Sequence, residues 1–348
     1  WMTREIIILP GDGIGSEVVT QAVRVLDMIA KQSGVRFNYV YDIIGSSSRE
    51  LTGSSLLKET LKRSRTADAI LLGTLSQHAF DKMIGEDQDN GILKLRRSMG
   101  VFATLHVVTS FGGVATNKIY ETGRLKNLDI QVYRDASDGN AIVNGEDTGD
   151  DSINERFHSQ SDLLRLARPA FKSSANRRGR VHIVLQAGRR DNQAKWVEAM
   201  ENLSREFPEV SVTYQTMEEV FELMTRQPEK YDVIITEHQI GNQLITRGAK
   251  LVGSEFIIPG ADLGAVTSVF SPWHGPQPEM EGTNHANPFG MILTSALMLE
   301  HLGMQEQAED VRNAVKQCLE NGRVARDMDP EDGMDTDRLG EFVLAYLD

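Results

Sequence analysis

The stretch REIIILPGDGIGSEVVTQAVRVLDMIAKQSG, Arg4–Gly34, decides the class of the fold. A continuous apolar run ends in a turn through Gly11, Gly13 and Gly15, after which apolar residues recur at helical spacing. Ser16 reads as the N-cap of that helix and Gly34 as its C-terminal stop. A glycine turn between strand and helix lets backbone approach a ligand and points helix N–H groups at an anion. PGDGIG is not GxGxxG, so a standard Rossmann fold is not indicated, and a plain tight turn accounts for the glycines equally well.

Outward from this unit the same alternation recurs. FNYVYDII, ADAILLG, RVHIVLQAG, VSVTYQT and YDVIITE read as strands, and LLKETLKRS, SDLLRLARPAFKSS, KWVEAMENLSREF and EEVFELMTRQ as helices. Strands alternating with helices predict an α/β fold with a largely parallel sheet. The segment from Val107 to Asn154 breaks the rhythm. It is rich in Gly, Asp, Thr and Asn, with β patches such as LDIQVYRD, and reads as an antiparallel arm or clasp. The end of the chain reads as helices closing on Gly303 and Gly322.

Bulk properties narrow the partners. At 348 residues the chain exceeds a usual single domain, so two domains are expected. A formal charge of −13 argues against nucleic acid or an anionic membrane, because phosphate binding needs a basic face. Arg177-Arg178-Gly179-Arg180 reads as a solvated turn before a strand. Cys318 stands alone, which precludes an internal disulfide framework and favours the cytoplasm or another reducing compartment. No run approaches the ~18 apolar residues of a membrane span, and the early strand reads as lacking a signal peptide.

HGPQPEMEGTNHANPFGMILTSALML, His274–Leu299, is the second informative stretch. A loop bearing His, Gly and Pro, then an acid, then Asn-Pro at a helix start can wrap a nucleotide. His274 offers a ring face or a donor to adenine. Glu279 can accept hydrogen bonds from a ribose diol and would repel a 2′-phosphate. Asn287 ahead of Pro288 also reads as an ordinary N-cap with Pro at the first helical position.

Together the two motifs resemble the decarboxylating dehydrogenases of 3-isopropylmalate and isocitrate. GDGIGSEV, ADAILLGT, GILKLRRSMGVFATL (Gly91–Leu105), LARPAF (Leu166–Phe171) and YDVIITE fall in the family's order, over nearly the whole chain. The resemblance implies an isopropylmalate dehydrogenase-like α/β fold rather than a Rossmann fold, with mixed sheets, flanking helices and a cleft between two domains. The large, nucleotide-binding domain would comprise residues 1–107 and 253–348, and the small domain 108–252 would carry a dimerisation arm. NAD is the implied cofactor, with Ile14, Thr74, His274, Gly275, Glu279, Met280 and Asn287 as contacts. The implied assembly is a dimer in which the partner subunit completes each active site.

Carried over residue by residue, the implied catalytic positions depart from the family. His158 falls on its tyrosine, ten residues before Arg168. Gln186 falls on its lysine general base and Gly188 on a following asparagine. A small shift would bring Arg189 there, which cannot act as a base, and Lys195 is the only lysine on that segment. The metal-binding aspartates of a GDxxxD element fall on Asn242 and Thr246, and a third, from the partner subunit, on Glu218. Glu237 matches none of these and reads as a polar loop residue. Arg96 and Arg134 match two arginines that hold ligand carboxylates, a task suited to a guanidinium fork. The third such arginine falls on His106. Arg96 beside Arg97 reads also as a solvated helix charge, and His158 as a polar or packing residue.

Hard cations need several oxygen ligands, mostly carboxylate, so Mg²⁺ or Mn²⁺ is not expected to be held in the family manner. General acid and base groups contribute roughly 10²–10⁴-fold each, and metal stabilisation several kcal/mol more. The sequence therefore points to a divergent homologue without the metal-dependent oxidative decarboxylation. It would act as a regulatory or ligand- and nucleotide-binding subunit, in a homodimer or beside a catalytic homologue. The alternative is a repurposed NAD-dependent oxidoreductase acting on a 2-hydroxy acid related to 3-isopropylmalate, isocitrate, malate or tartrate, with His158, His106 or Glu218 in new roles. An ordinary isopropylmalate-type dehydrogenase is a third reading.

Overall fold

The computed structural model describes residues 3–76, 90–111, 128–136, 159–186 and 190–348. The chain forms two compact units. Unit 1 comprises Trp1–Val101, Phe111–Lys118 and Val252–Asp348, and unit 2 comprises Phe102–Ser110 and Ile119–Leu251.

Unit 1 begins with β1 (Thr3–Gly11), α1 (Gly15–Ser33), β2 (Arg36–Tyr41), α2 (Ser46–Thr52), α3 (Lys58–Ser64), β3 (Ala69–Thr74) and α4 (Gly91–Met99). Its later part is β9 (Gly260–Gly264), β10 (Val269–Phe270), α9 (Phe289–His301), α10 (Gln305–Glu320) and α11 (Thr336–Leu347). The strands lie in the order β2-β1-β3-β10-β9. The first four are parallel and β9 is antiparallel to β10. A Rossmann sheet runs 3-2-1-4-5-6, so this order departs from it at the first three strands. β3 is buried along its whole length, as a parallel strand covered on both faces should be. α1 buries Val18, Val19, Ala22, Val25, Leu26 and Ile29, the stripe its spacing predicts. Gly34 closes it at φ 72°, while its N-cap is Ile14, which leaves Ser16 inside the first turn. α9 is buried from Phe289 through Leu299 on every face, and so forms the centre of unit 1.

Unit 2 holds β4 (Val101–Thr109), β5 (Asp129–Asp135), α5 (Gln160–Ala175), β6 (Arg180–Leu185), α6 (Arg190–Glu206), β7 (Ser211–Thr216), α7 (Met217–Arg226), β8 (Val233–Thr236) and α8 (His238–Val252). The order is β4-β5-β8-β6-β7, with β4 antiparallel to β5 and the others parallel. LDIQVYRD is thus no part of an arm: as β5 it lies between β4 and β8, buried from Ile130 to Asp135. Its polar residues suggested a surface, but they have internal partners. Gln131 Oε1, for example, accepts from the Ser173 hydroxyl at 2.6 Å. The rest of the expected arm lies largely outside the described residues.

The basic cluster is likewise not a solvated turn. Asp232 is fully buried and accepts from Arg177 Nε at 2.8 Å, and Arg177 Nη2 also donates to Asp129 at 2.9 Å. The arginines tie the loop before β6 to the starts of β5 and β8. A charge so deeply buried needs such partners.

Candidate functional site

In an open α/β sheet, ligands bind beyond the carboxyl ends of the parallel strands. In unit 1 that rim consists of the turn after β1, the end of β3 and the loop after β10. Asp12 N–H donates to Thr74 O at 2.7 Å, and the Thr74 hydroxyl donates back to Asp12 O at 2.6 Å. The Asp12 carboxylate accepts from the backbone N–H groups of Ser46 and Ser76, each at 2.9 Å. Gly13, at φ 57°, lies so close to Pro276 that a Cβ would stand 2.0 Å from its carbonyl oxygen. Ile14 N–H donates to that oxygen at 2.8 Å. The two motifs quoted from opposite ends of the sequence therefore meet here. Glu17 extends the contact, accepting from Gly282 N–H at 3.1 Å and Asn284 N–H at 2.9 Å.

His274 is buried against Phe256, with ring centroids 4.7 Å apart. Its Nδ1 lies 3.0 Å from the Gly275 carbonyl, so Nδ1 carries the proton and Nε2 is an acceptor. Nε2 is buried without a hydrogen-bond partner. Burial pushes the imidazole pKa down to about 4, which keeps the ring neutral at pH 7. A side chain at Gly275 would meet open space. Glu279 is exposed on the short turn Pro278–Met280, and Met280 is half-buried. Asn287 is buried with both amide ends engaged: Nδ2 donates to Asp327 at 3.1 Å and Oδ1 accepts from Phe289 N–H at 3.0 Å. Ile14 and Thr74 are buried too. A nucleotide fits this rim. The orphaned acceptor on His274 awaits a donor, Gly275 admits close approach, and Glu279 presents a carboxylate to a diol.

In unit 2, Arg134 lies near the carboxyl end of β5 and pairs in register with Thr104 and Thr236. His106 pairs with Val132, two residues away, so His106 and Arg134 share one face of the sheet. Arg134 reaches the first turn of α8, where its Nη1 is 2.9 Å from His238 Nδ1. A Cβ at Gly241 would stand 2.7 Å from Arg134 Cδ, so the glycine makes room for the arginine stem. Gly241 therefore lies inside α8, which begins at His238. A guanidinium can only donate, so His238 Nδ1 accepts. His238 Nε2, which then carries the ring proton, is 3.2 Å from the Asn242 amide, whose oxygen is the end that can accept it, and this links Arg134, His238 and Asn242 in one chain. Sequence reasoning passed over His238. The available signal was its place directly beyond a strand, four residues before Asn242 on the same helix face.

Gln186 is exposed just past β6, Glu218 is exposed in the first turn of α7, and Thr246 is exposed on α8. His158 lies outside the described residues. Arg96 is not a solvated charge: its Nε donates to Asp262 Oδ2 at 2.7 Å, and Nη2 lies 3.4 Å from Oδ1.

The family profile described as isocitrate/isopropylmalate dehydrogenase matches residues 5–343. The chain belongs to the isocitrate/isopropylmalate dehydrogenase family. It is 30% identical over 352 residues to the 3-isopropylmalate dehydrogenase of Sulfurimonas denitrificans, covering 99% of both. The 3-isopropylmalate dehydrogenase of Hahella chejuensis is 31% identical over 360 residues, again with 99% of both covered. Among solved structures, isocitrate dehydrogenase from Methylococcus capsulatus shares the fold with a TM-score of 0.84 at 24% identity over 99% of each chain. A β-decarboxylating dehydrogenase from Thermococcus kodakarensis gives 0.80 at 26%, covering 99% of this chain and 96% of that one.

A divalent cation, which the family resemblance implies, does not fit α8 of this family member. Asn242 and Thr246 are neutral, and Asn242 is bonded to the imidazole that holds Arg134. Among the described residues no three His, Cys, Asp or Glu side chains group as a ligand set.

Proposed function

We propose that this chain is a nucleotide-binding member of the family that does not perform the metal-dependent oxidative decarboxylation. It serves as a regulatory or ligand-binding subunit, in a homodimer or beside a catalytic homologue. The Arg134–His238–Asn242 chain carries this reading. A permanent cation stands at the unit 2 rim with neutral partners on α8. Asn242 and Thr246 supply no carboxylate there, and hard divalent cations are held mostly by carboxylate oxygens. The orphaned acceptor of His274 and the exposed Glu279 support an adenine nucleotide, NAD included. A small-molecule acid is the second ligand of this reading, its carboxylate suited to a guanidinium such as that of Arg134. No helix among the described residues is long and apolar enough to cross a membrane.

His238 favours one second reading. Its imidazole lies 2.9 Å from the Arg134 guanidinium, where it can help to orient an acid, so a metal-free NAD-dependent oxidoreductase acting on a 2-hydroxy acid is the alternative. The test is calorimetric titration of NAD⁺, NADH, ATP and AMP with and without Mg²⁺, followed by turnover assays with 3-isopropylmalate, isocitrate, malate and tartrate. Nucleotide binding indifferent to Mg²⁺, without turnover, is the expected result. Metal-dependent turnover would overturn the proposal, and metal-free turnover would select the alternative.

A further inference from the structure

Asn284 joins the His274 loop to two helices of unit 1, with both backbone groups and both amide ends engaged. Its N–H donates to the Glu17 carboxylate on α1 at 2.9 Å. Its carbonyl accepts from Thr336 N–H at 2.8 Å. Oδ1 accepts from Asp337 N–H at 3.1 Å, and Nδ2 donates to Asp337 Oδ1 at 2.8 Å. Thr336 and Asp337 open α11, and the first N–H groups of a helix find no partner within it. The N-cap residue, Asp335, makes no side-chain cap hydrogen bond. Asn284 therefore caps α11 from a distant part of the chain. It does so at φ 62°, in the left-handed region, which asparagine tolerates better than most side chains. The Thr336 hydroxyl donates to Ala286 O at 2.6 Å, which fastens the loop on both sides of His285. The Asn284 amide also holds the Asp337 carboxyl below its usual pKa of 3.8, so the acceptor is ionised at pH 7.

We infer that Asn284 is a positioning residue for nucleotide recognition, which holds the His274 loop in its binding shape and couples it to the C-terminal helix α11. The inference rests on the reading above that this loop receives a nucleotide. Glu279 stands between two anchors on α1. At one, Pro276 O accepts from Ile14 N–H; at the other, Gly282 and Asn284 donate to Glu17. Asn284 is the point where the second anchor is itself tied to α11. Apparent affinity falls with the fraction of molecules in the competent shape, so loosening this tie weakens binding without removing any nucleotide contact. Coupling of this kind is reciprocal. A nucleotide that orders the loop steadies the first turn of α11, and loss of the Asn284–Asp337 pair frees both. For a regulatory subunit this puts a nucleotide-dependent helix at the surface, where Arg338 and Glu341 are exposed.

The experiment joins calorimetric titration of NADH and AMP to amide hydrogen exchange, on the full chain as wild type, Asn284→Asp, Asn284→Gly and the double variant Asn284→Asp/Asp337→Asn. Asn284→Asp removes the donor and sets two carboxylates together, and the double variant restores the pair with donor and acceptor exchanged. Asn284→Gly keeps the left-handed backbone and drops both side-chain bonds. Each single substitution should weaken NADH binding about tenfold, and the double variant should return to within about threefold of wild type. Saturating NADH should slow exchange across Thr336–Leu347 about tenfold in wild type. That protection should vanish in the single variants and reappear in the double. Thermal melts report which variants are folded, and if Asn284→Asp does not fold, Asn284→Gly carries the same prediction. An asparagine with a merely structural role would lower the melt without linking NADH to exchange in α11. Unchanged affinity in the folded single variants, or equal exchange of α11 with and without NADH in wild type, would overturn the role of Asn284 alone. A double variant no better than Asn284→Asp would overturn the amide–carboxylate pair as the link. Failure of wild type to bind either nucleotide would overturn this inference together with the reading of the loop as a nucleotide site.

Discussion

Replacing Asp232 with alanine removes a charge that unit 2 has enclosed completely. Its oxygens accept from Arg177 Nε at 2.8 Å, the Ser174 hydroxyl at 3.1 Å, and the N–H groups of Arg178 and Arg180 at 3.1 and 3.4 Å. Arg178 Nη2 adds an ion-pair contact at 3.5 Å. Breaking a buried pair by deleting one partner costs about 3–5 kcal/mol, because the other charge is left behind. The Arg177 and Arg178 side chains keep 22% and 33% of their exposure, so water partly rescues them and the lower end, about 3 kcal/mol, is expected. Urea denaturation at pH 7, followed by circular dichroism and by tryptophan fluorescence, measures it. Trp196 on α6 is fully buried and reports on unit 2. The midpoint should fall by roughly 1 M or more. Asp129→Ala is the control, since that carboxylate is 37% exposed and bonds the same Arg177; it should cost about 1 kcal/mol or less. If Asp232→Ala costs no more than Asp129→Ala, the buried network does not organise these three strands.

Two further changes probe unit 1. Gly13→Ala places a Cβ 2.0 Å from the Pro276 carbonyl at a positive φ, so it should displace the loop after β10 and weaken NADH binding at least about tenfold; unchanged affinity by calorimetry would contradict the proposed nucleotide site. Asp327 accepts from the Ser254 hydroxyl, the Asn287 amide and the backbone N–H groups of Asp327 and Met328, all of them neutral, and burial raises its pKa above the usual 3.8. Because the folded value is the higher one, the stability it contributes is complete below about pH 3.8 and is lost as pH rises through the raised value. Asp327→Asn should therefore raise the urea midpoint at pH 7 and flatten its pH dependence above pH 4; a lower midpoint would refute this.

Much of the architecture was legible because period and punctuation agree. The strand–turn–helix at Arg4–Gly34 shows this, as does α9, whose apolar run and Gly303 stop match its buried length. β5 was misjudged for a specific reason. DIQVYRD carries four polar residues, and only the tertiary partners on β4, β8 and α5 make its burial tolerable. The arginines before β6 were misread on the same ground, since local sequence does not show that Asp129 and Asp232 converge on them. At the candidate site, the glycine turn and the His274 loop were visible as separate motifs. The Gly13–Pro276 contact joining them was not, because no local signal spans that distance along the chain. His238 and Asp262 escaped notice because each gains meaning only from the arginine it touches.

The pairing of β3 with β10 has a consequence for synthesis. Ile70 and Val269 are partners in register, and 269 − 70 places them 199 residues apart. At ribosomal rates of roughly 5–20 residues per second, this edge of β3 waits about 10–40 s for its neighbour. All of the strands of unit 2 emerge within that interval. An unpaired edge of apolar strand is a template for other chains, and AILLGT is such a strand. The nascent chain is thus exposed to mispairing for far longer than secondary structure takes to form. A holdase that covers the first hundred residues would be expected to raise the yield of soluble protein, and faster translation to raise it in the same direction.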